Sequence, residues 1–101
     1  MSYACLQCRR EFRDVDFAAS ISGSIFGDEY ADTFFLCPDC RLYTRVSWYD
    51  NFTGIETSSI SGPIPLEEGD ASIALIRQCD TPWDKTCRCA AHRAYFNNTL
   101  D

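Results

Sequence analysis

Lysine is nearly missing from this chain: among its 101 residues only Lys85 carries an ammonium, and nine basic side chains face 15 acidic ones. The net charge of −6, spread evenly at −3 on each half, leaves no clustered cationic surface for neutralising phosphates. Arg9, Arg10 and Arg13 are interleaved with Glu11, Asp14 and Asp16 and read as a solvated charged face. Nucleic acid and anionic membrane are therefore excluded as expected partners. Long apolar runs are missing too. No stretch approaches the ~18 residues of a membrane span, and Met1-Ser2-Tyr3-Ala4-Cys5 lacks a basic region leading into an apolar one, so the expected compartment is the cytoplasm. Core-building residues are scarce: Leu, Ile, Val and Phe fill 22 of 101 positions. One thin-cored domain spanning residues 1–101 is expected, and a domain of this size ordinarily needs a cross-link.

Catalytic equipment is equally sparse. Histidine occurs once, at His92, and there is no Gly-rich phosphate loop or Gly-x-Ser-x-Gly elbow. A zinc deaminase needs His-x-Glu and Pro-Cys-x-x-Cys, but Arg93-Ala94 follows His92 and the proline at the second cysteine pair follows Cys37. The expectation is a protein that is not an enzyme. Asn51-Phe52-Thr53 and Asn97-Asn98-Thr99 fit the glycosylation acceptor pattern, which has meaning only in a secreted chain, and are taken as chance. Ser59-Ile60-Ser61-Gly62 echoes Ser20-Ile21-Ser22-Gly23 without any repeat of the cysteine pattern, so no internal repeat is inferred.

What the chain has in excess is cysteine, seven in all. In a reducing compartment an odd count in a short chain points to metal rather than disulfides. Cys5-Leu6-Gln7-Cys8 and Cys37-Pro38-Asp39-Cys40 are two Cys-x-x-Cys turns. Each can set two sulfurs on one side of a tight turn, so two facing turns supply four thiolates at about 2.3 Å from a zinc ion. A thioredoxin-like redox motif would instead sit at a helix start in a βαβ unit, which neither turn offers. The remaining Cys79, Cys87, Cys89 and His92 make a second set of four, with Cys89 and His92 one helical turn apart. Its alternatives are buried free thiols beside a surface histidine, or a Cys79–Cys87 redox pair. Two zinc ions are expected.

Tyr3-x-Cys5-x-x-Cys8 followed by Phe12, then an aromatic pair entering Cys37-Pro38-x-Cys40, resembles the paired knuckles of zinc ribbons, and the separation is similar to that of rubredoxins. The likeness covers about residues 3–49. It implies a structural metal site, or, on the rubredoxin side, one iron in four thiolates for electron transfer. Rubredoxin knuckles usually carry glycine directly after the second cysteine, where this chain has Arg9 and Arg41. Arginine offsets the −2 charge of a Zn(Cys)₄ centre, so zinc is favoured and iron at the first site is the lesser alternative.

The expected fold class is a small zinc-stabilised α+β domain, with a zinc-ribbon-like β lobe over residues 1–62 and a helical lobe over 63–101. Residues 3–12 read as a short strand into a turn, and residues 13–31 as an irregular hairpin. Thr33–Leu36 and Leu42–Tyr49 read as strands, Asp50–Gly54 as a turn and Ile55–Ile60 as a returning strand, ended by the extended Gly62-Pro63-Ile64-Pro65. Ile73, Leu75 and Ile76 with Ala71 and Ala74 suggest a helix of about three turns, and a second short helix is expected from Cys89 to Phe96. Of the 14 aromatics, Tyr43, Trp48, Tyr49 and Phe52 surround the central hairpin. Leu42, Thr44, Val46 and Trp48 should share one face; Tyr43, Arg45, Ser47 and Tyr49 should share the other, as a stabilising ladder or as an outer protein-binding surface. The function expected from these features is a monomeric, non-catalytic protein-interaction or adaptor module; the alternative is a rubredoxin-like redox or metal-handling protein.

Overall fold

The computed structural model describes residues 3–51 and 53–100, so Phe52 lies outside the described residues. Four strands, β1 (Phe17–Ile25), β2 (Asp28–Cys37), β3 (Leu42–Asp50) and β4 (Glu56–Ile64), form one antiparallel sheet in sequence order. Two helices follow, α1 (Leu66–Arg77) and the short α2 (Ala90–Tyr95). The architecture is α+β.

The β1–β2 hairpin is regular where irregularity was expected. Phe26 and Gly27 form its two-residue turn with φ of 52° and 83°, the paired left-handed backbone that matches strand twist. From there Ile25 pairs with Asp28 and Ala19 with Phe34, and a register shift falls only between Phe17 and Ala19. The small residues of Ala18-Ala19-Ser20-Ile21-Ser22-Gly23 obscure the alternation in sequence, yet Ala19, Ile21 and Gly23 point to the buried side. The fourth strand also runs further than expected. A register shift between Tyr43 and Arg45 lets it continue past Gly62 and Pro63, so that Ile64 pairs with Tyr43.

One sheet face carries Ala19, Ile21, Phe34 and Tyr43, and these pack with Ile73 and Ile76 of α1 as the main core. The buried stripe of α1 is Gly69, Ile73 and Ile76; Ala71 and Ala74, expected on it, face solvent. Gly69 has a packing cause: a Cβ there would stand 2.0 Å from the Tyr43 ring. Tyr43 is thus 5% exposed and donates a hydrogen bond to Asp70, which removes it from any outer surface. Tyr49 on the same face stacks on Tyr30 at 4.9 Å and donates to Asp28, the ladder arrangement. On the opposite face, near the Cys37 end of the ladder, Phe12 stacks on Phe35 at 5.2 Å and Tyr3 lies 5.9 Å from it.

Candidate metal centres

The second knuckle is the turn between β2 and β3, so its place is fixed by their ladder, which runs to the Cys37–Leu42 pair. The first knuckle is a small hairpin closed by the Ala4–Glu11 bridge and by the Phe12 amide donating to the Tyr3 carbonyl. Tyr3 and Phe12 flank it, and their packing on Phe35 sets it beside the second. Arg10 spans the junction, with Nε 3.7 Å from Asp39 in the second knuckle and Nη1 3.8 Å from Asp16.

The ligand atoms of Cys5, Cys8, Cys37 and Cys40 lie within 4.8 Å of one another. Cys8 Sγ is 3.7 Å from Cys37 Sγ. A disulfide would bring sulfurs to about 2.05 Å, whereas tetrahedral thiolates about 2.3 Å from a zinc ion stand about 3.8 Å apart. Metal-cage spacing is what the structure shows. Cys5 and Cys37 are buried, Cys40 is half-buried and Cys8 is exposed. The amide of Gln7 donates to Cys5 Sγ. Burial would raise the Cys37 thiol, but amide hydrogen bonds from Cys40 and Asp39 together with neighbouring thiols bring it down to about 7. The Cys8 hydrogen bond, burial and the other sulfurs push Cys40 up to about 12. A divalent cation held among the four sulfurs would offset the charge of their thiolates.

Arg9 and Arg41 both take the left-handed backbone, at φ of 66° and 54°. Their amides close the knuckles onto the carbonyls of Cys5 and Cys37 at 2.9 and 2.8 Å. The missing glycines therefore do not spoil the knuckle geometry, and the sequence-based preference against iron loses that support.

The second set also converges. Cys79 follows α1, Cys87 ends the loop after it, and Cys89 caps α2 by accepting the His92 amide. Their ligand atoms and that of His92 again lie within 4.8 Å of one another. Cys79 Sγ is 3.6 Å from Cys87 Sγ and 3.2 Å from His92 Nδ1. His92 is fully buried, and its Nε2 pairs with the Ser22 carbonyl in β1. A carbonyl only accepts, so Nε2 holds the proton and the Nδ1 lone pair is left for a metal. Burial and the neighbouring thiols push Cys79 up to about 11, against a hydrogen bond from the Thr81 amide. Hydrogen bonds from the Cys89 amide and the Thr81 hydroxyl hold Cys87 down at about 6. Ser22 and Thr81 carry no motif that sequence could flag; their positions come from where β1 and the Cys79–Cys87 loop meet.

The structure thus holds two cysteine-rich groups able to bind metal ions, and the first is compatible with a zinc-ribbon-like site. Among the described residues no helix is long and apolar enough to cross a membrane. Comparison with family models, curated proteins and solved structures finds no match to this chain.

Proposed function

We propose that this chain is a zinc-stapled protein-interaction module of a reducing compartment, acting as a monomer and without catalysis of its own. The observation that carries this reading is that each group supplies four protein ligand atoms at mutual distances suited to a tetrahedral ion. Three protein ligands plus water is the usual catalytic arrangement, and a full set leaves no place for substrate. Zinc fits both donor sets, thiolate and imidazole, and supplies folding energy that the thin core does not. When bound, the ions would cross-link the first knuckle to the sheet through Cys5, Cys8, Cys37 and Cys40, and the C-terminal segment to α1 through Cys79, Cys87, Cys89 and His92.

A second reading, rubredoxin-like electron transfer at the first group, draws on one observation: the amides of Gln7, Asp39 and Cys40 donate to the sulfurs of Cys5 and Cys37, as suits a tuned iron site. Native mass spectrometry of protein purified without chelator separates the two. Two zinc ions per colourless monomer support the staple; a visible-absorbing preparation with iron at the first group overturns it in favour of redox chemistry.

A further inference from the structure

Resting on the reading of an interaction module, a cleft beside the Cys79–Cys87 loop bears on the chemistry of a partner. Between Cys79 and Cys87 the chain folds over the outer edge of β1, where the Ser22 amide donates to the Pro82 carbonyl at 2.8 Å. This brings Trp83 and Lys85 beside Glu29 and Trp48, two residues that share the sheet face not covered by α1 by strand register. A cleft of about 450 Å³ results, lined by Glu29, Tyr30, Trp48, Trp83, Asp84 and Lys85 among others. Trp83 is 72% exposed, a large apolar ring with no core role. Glu29 and Asp50 stand directly opposite each other in the β2–β3 ladder. Like charges so placed repel, and Asp50 Oδ1 is buried with no hydrogen-bond partner among the described residues. The only lysine of the chain answers Glu29 from the loop, Lys85 Nζ pairing with Glu29 Oε1. The cleft thus already holds a cation paired with a carboxylate, and two indoles line it.

We propose that this cleft docks a basic segment of a protein partner, whose arginine displaces Lys85 from Glu29 and lies against Trp83 and Trp48. Guanidinium suits it because it pairs with carboxylate and stacks on indole at once. The net charge of −6 favours such a partner at long range.

The test is a titration of the full metal-loaded chain with a capped peptide of alternating Gly and Arg, followed by tryptophan fluorescence and calorimetry, with a Gly/Glu peptide as control. Saturable binding of the arginine peptide alone, weakening with salt, is expected. Trp83→Ala and Glu29→Gln should each weaken it roughly five- to tenfold, while Lys85→Ala should strengthen it by removing the internal competitor. Metal content and circular dichroism are measured on each sample. Loss of binding in a variant that keeps both metals supports the cleft. No saturable binding by the wild-type chain with both metals held overturns it and leaves the zinc reading standing; so do variants that bind like wild type, equal binding of the Gly/Glu peptide, or a fluorescence change that tracks self-association. A chain that binds the peptide but holds no zinc overturns the staple and not the cleft.

Discussion

Arg9 and Arg41 occupy backbone that most side chains avoid, at about 1 kcal/mol or more each, because a knuckle must turn back sharply after its second cysteine. Both side chains are exposed, so their identity matters less than their backbone. Arg41→Gly should stay within about 1 kcal/mol of wild type, strain relief offsetting the entropy of glycine. Arg41→Val, whose branched Cβ fits this region worst, should lose about 1–2 kcal/mol; denaturant midpoints of the two metal-loaded variants decide, and equal midpoints would refute the strain account. Tyr43 offers a second test. Burial, with the Asp70 hydrogen bond, pushes its phenol up to about 12, against about 10 in an unfolded chain. Its contribution is fully present below the unfolded value, and stability should fall as pH rises from about 10 through about 12 because the unfolded chain sheds its proton first. Tyr95, also raised by burial and by Asp32, acts in the same direction. Tyr43→Phe should flatten part of that alkaline slope in denaturant unfolding; an unchanged slope would assign it elsewhere.

Among the elements, α1 holds a glycine in its interior for a tertiary reason. Helix propensity alone favours alanine there by about 1 kcal/mol. With Tyr43 against Gly69, Gly69→Ala should instead destabilise by about 1–3 kcal/mol through overpacking, and in a Tyr43→Ala background the same change should become neutral or stabilising. Thermal midpoints of the four chains form the cycle; a Gly69→Ala protein more stable than wild type would refute the contact. That glycine also shows what was legible in the sequence. The helix was readable from Ile73 and Ile76, and the central strands from their alternation, whereas the stripe through Gly69 was not, because its partner ring lies on a strand over 20 residues upstream. The β1–β2 hairpin was hidden for a related reason: Ala19 and Gly23 are small because Phe96 and Leu100 crowd Gly23 and the core crowds Ala19. Cysteine spacing and ligand count pointed to both groups that the fold brings together, since those depend on local turns and on residue supply. The Ser22 carbonyl and the Glu29–Lys85 pair arise only from tertiary placement.

Across the molecule, the two groups able to bind metal draw on opposite parts of the chain, one on the N-terminal knuckle and the β2–β3 turn and the other on the C-terminal segment. Structural zinc contributes roughly 10–16 kcal/mol in small domains, comparable to the ~5–15 kcal/mol stability of a whole domain. Chelation should therefore collapse the near-ultraviolet circular dichroism, and an unchanged spectrum would show that the cysteines are not staples. The groups should also fail separately. His92→Ala should lower the metal content from two ions to one and leave the amide signals around Cys5 and Cys40 in place. Loss of both ions at once would show that the two ends do not stand independently.

The contact between His92 and Ser22 has a consequence for colony behaviour among many copies of the chain. A strand at the margin of a sheet offers unpaired amides and carbonyls to any neighbour, and proteins usually guard such margins. Here the guard over β1 is the Cys79–Cys87 loop, with Pro82 and His92 occupying the amide and carbonyl of Ser22. Stripping the proposed second ion would free that margin, so metal-depleted or His92→Ala protein should associate in a concentration-dependent way by strand pairing, read by sedimentation velocity. On this account the ion protects solubility as well as shape, and monomeric His92→Ala protein at high concentration would contradict it.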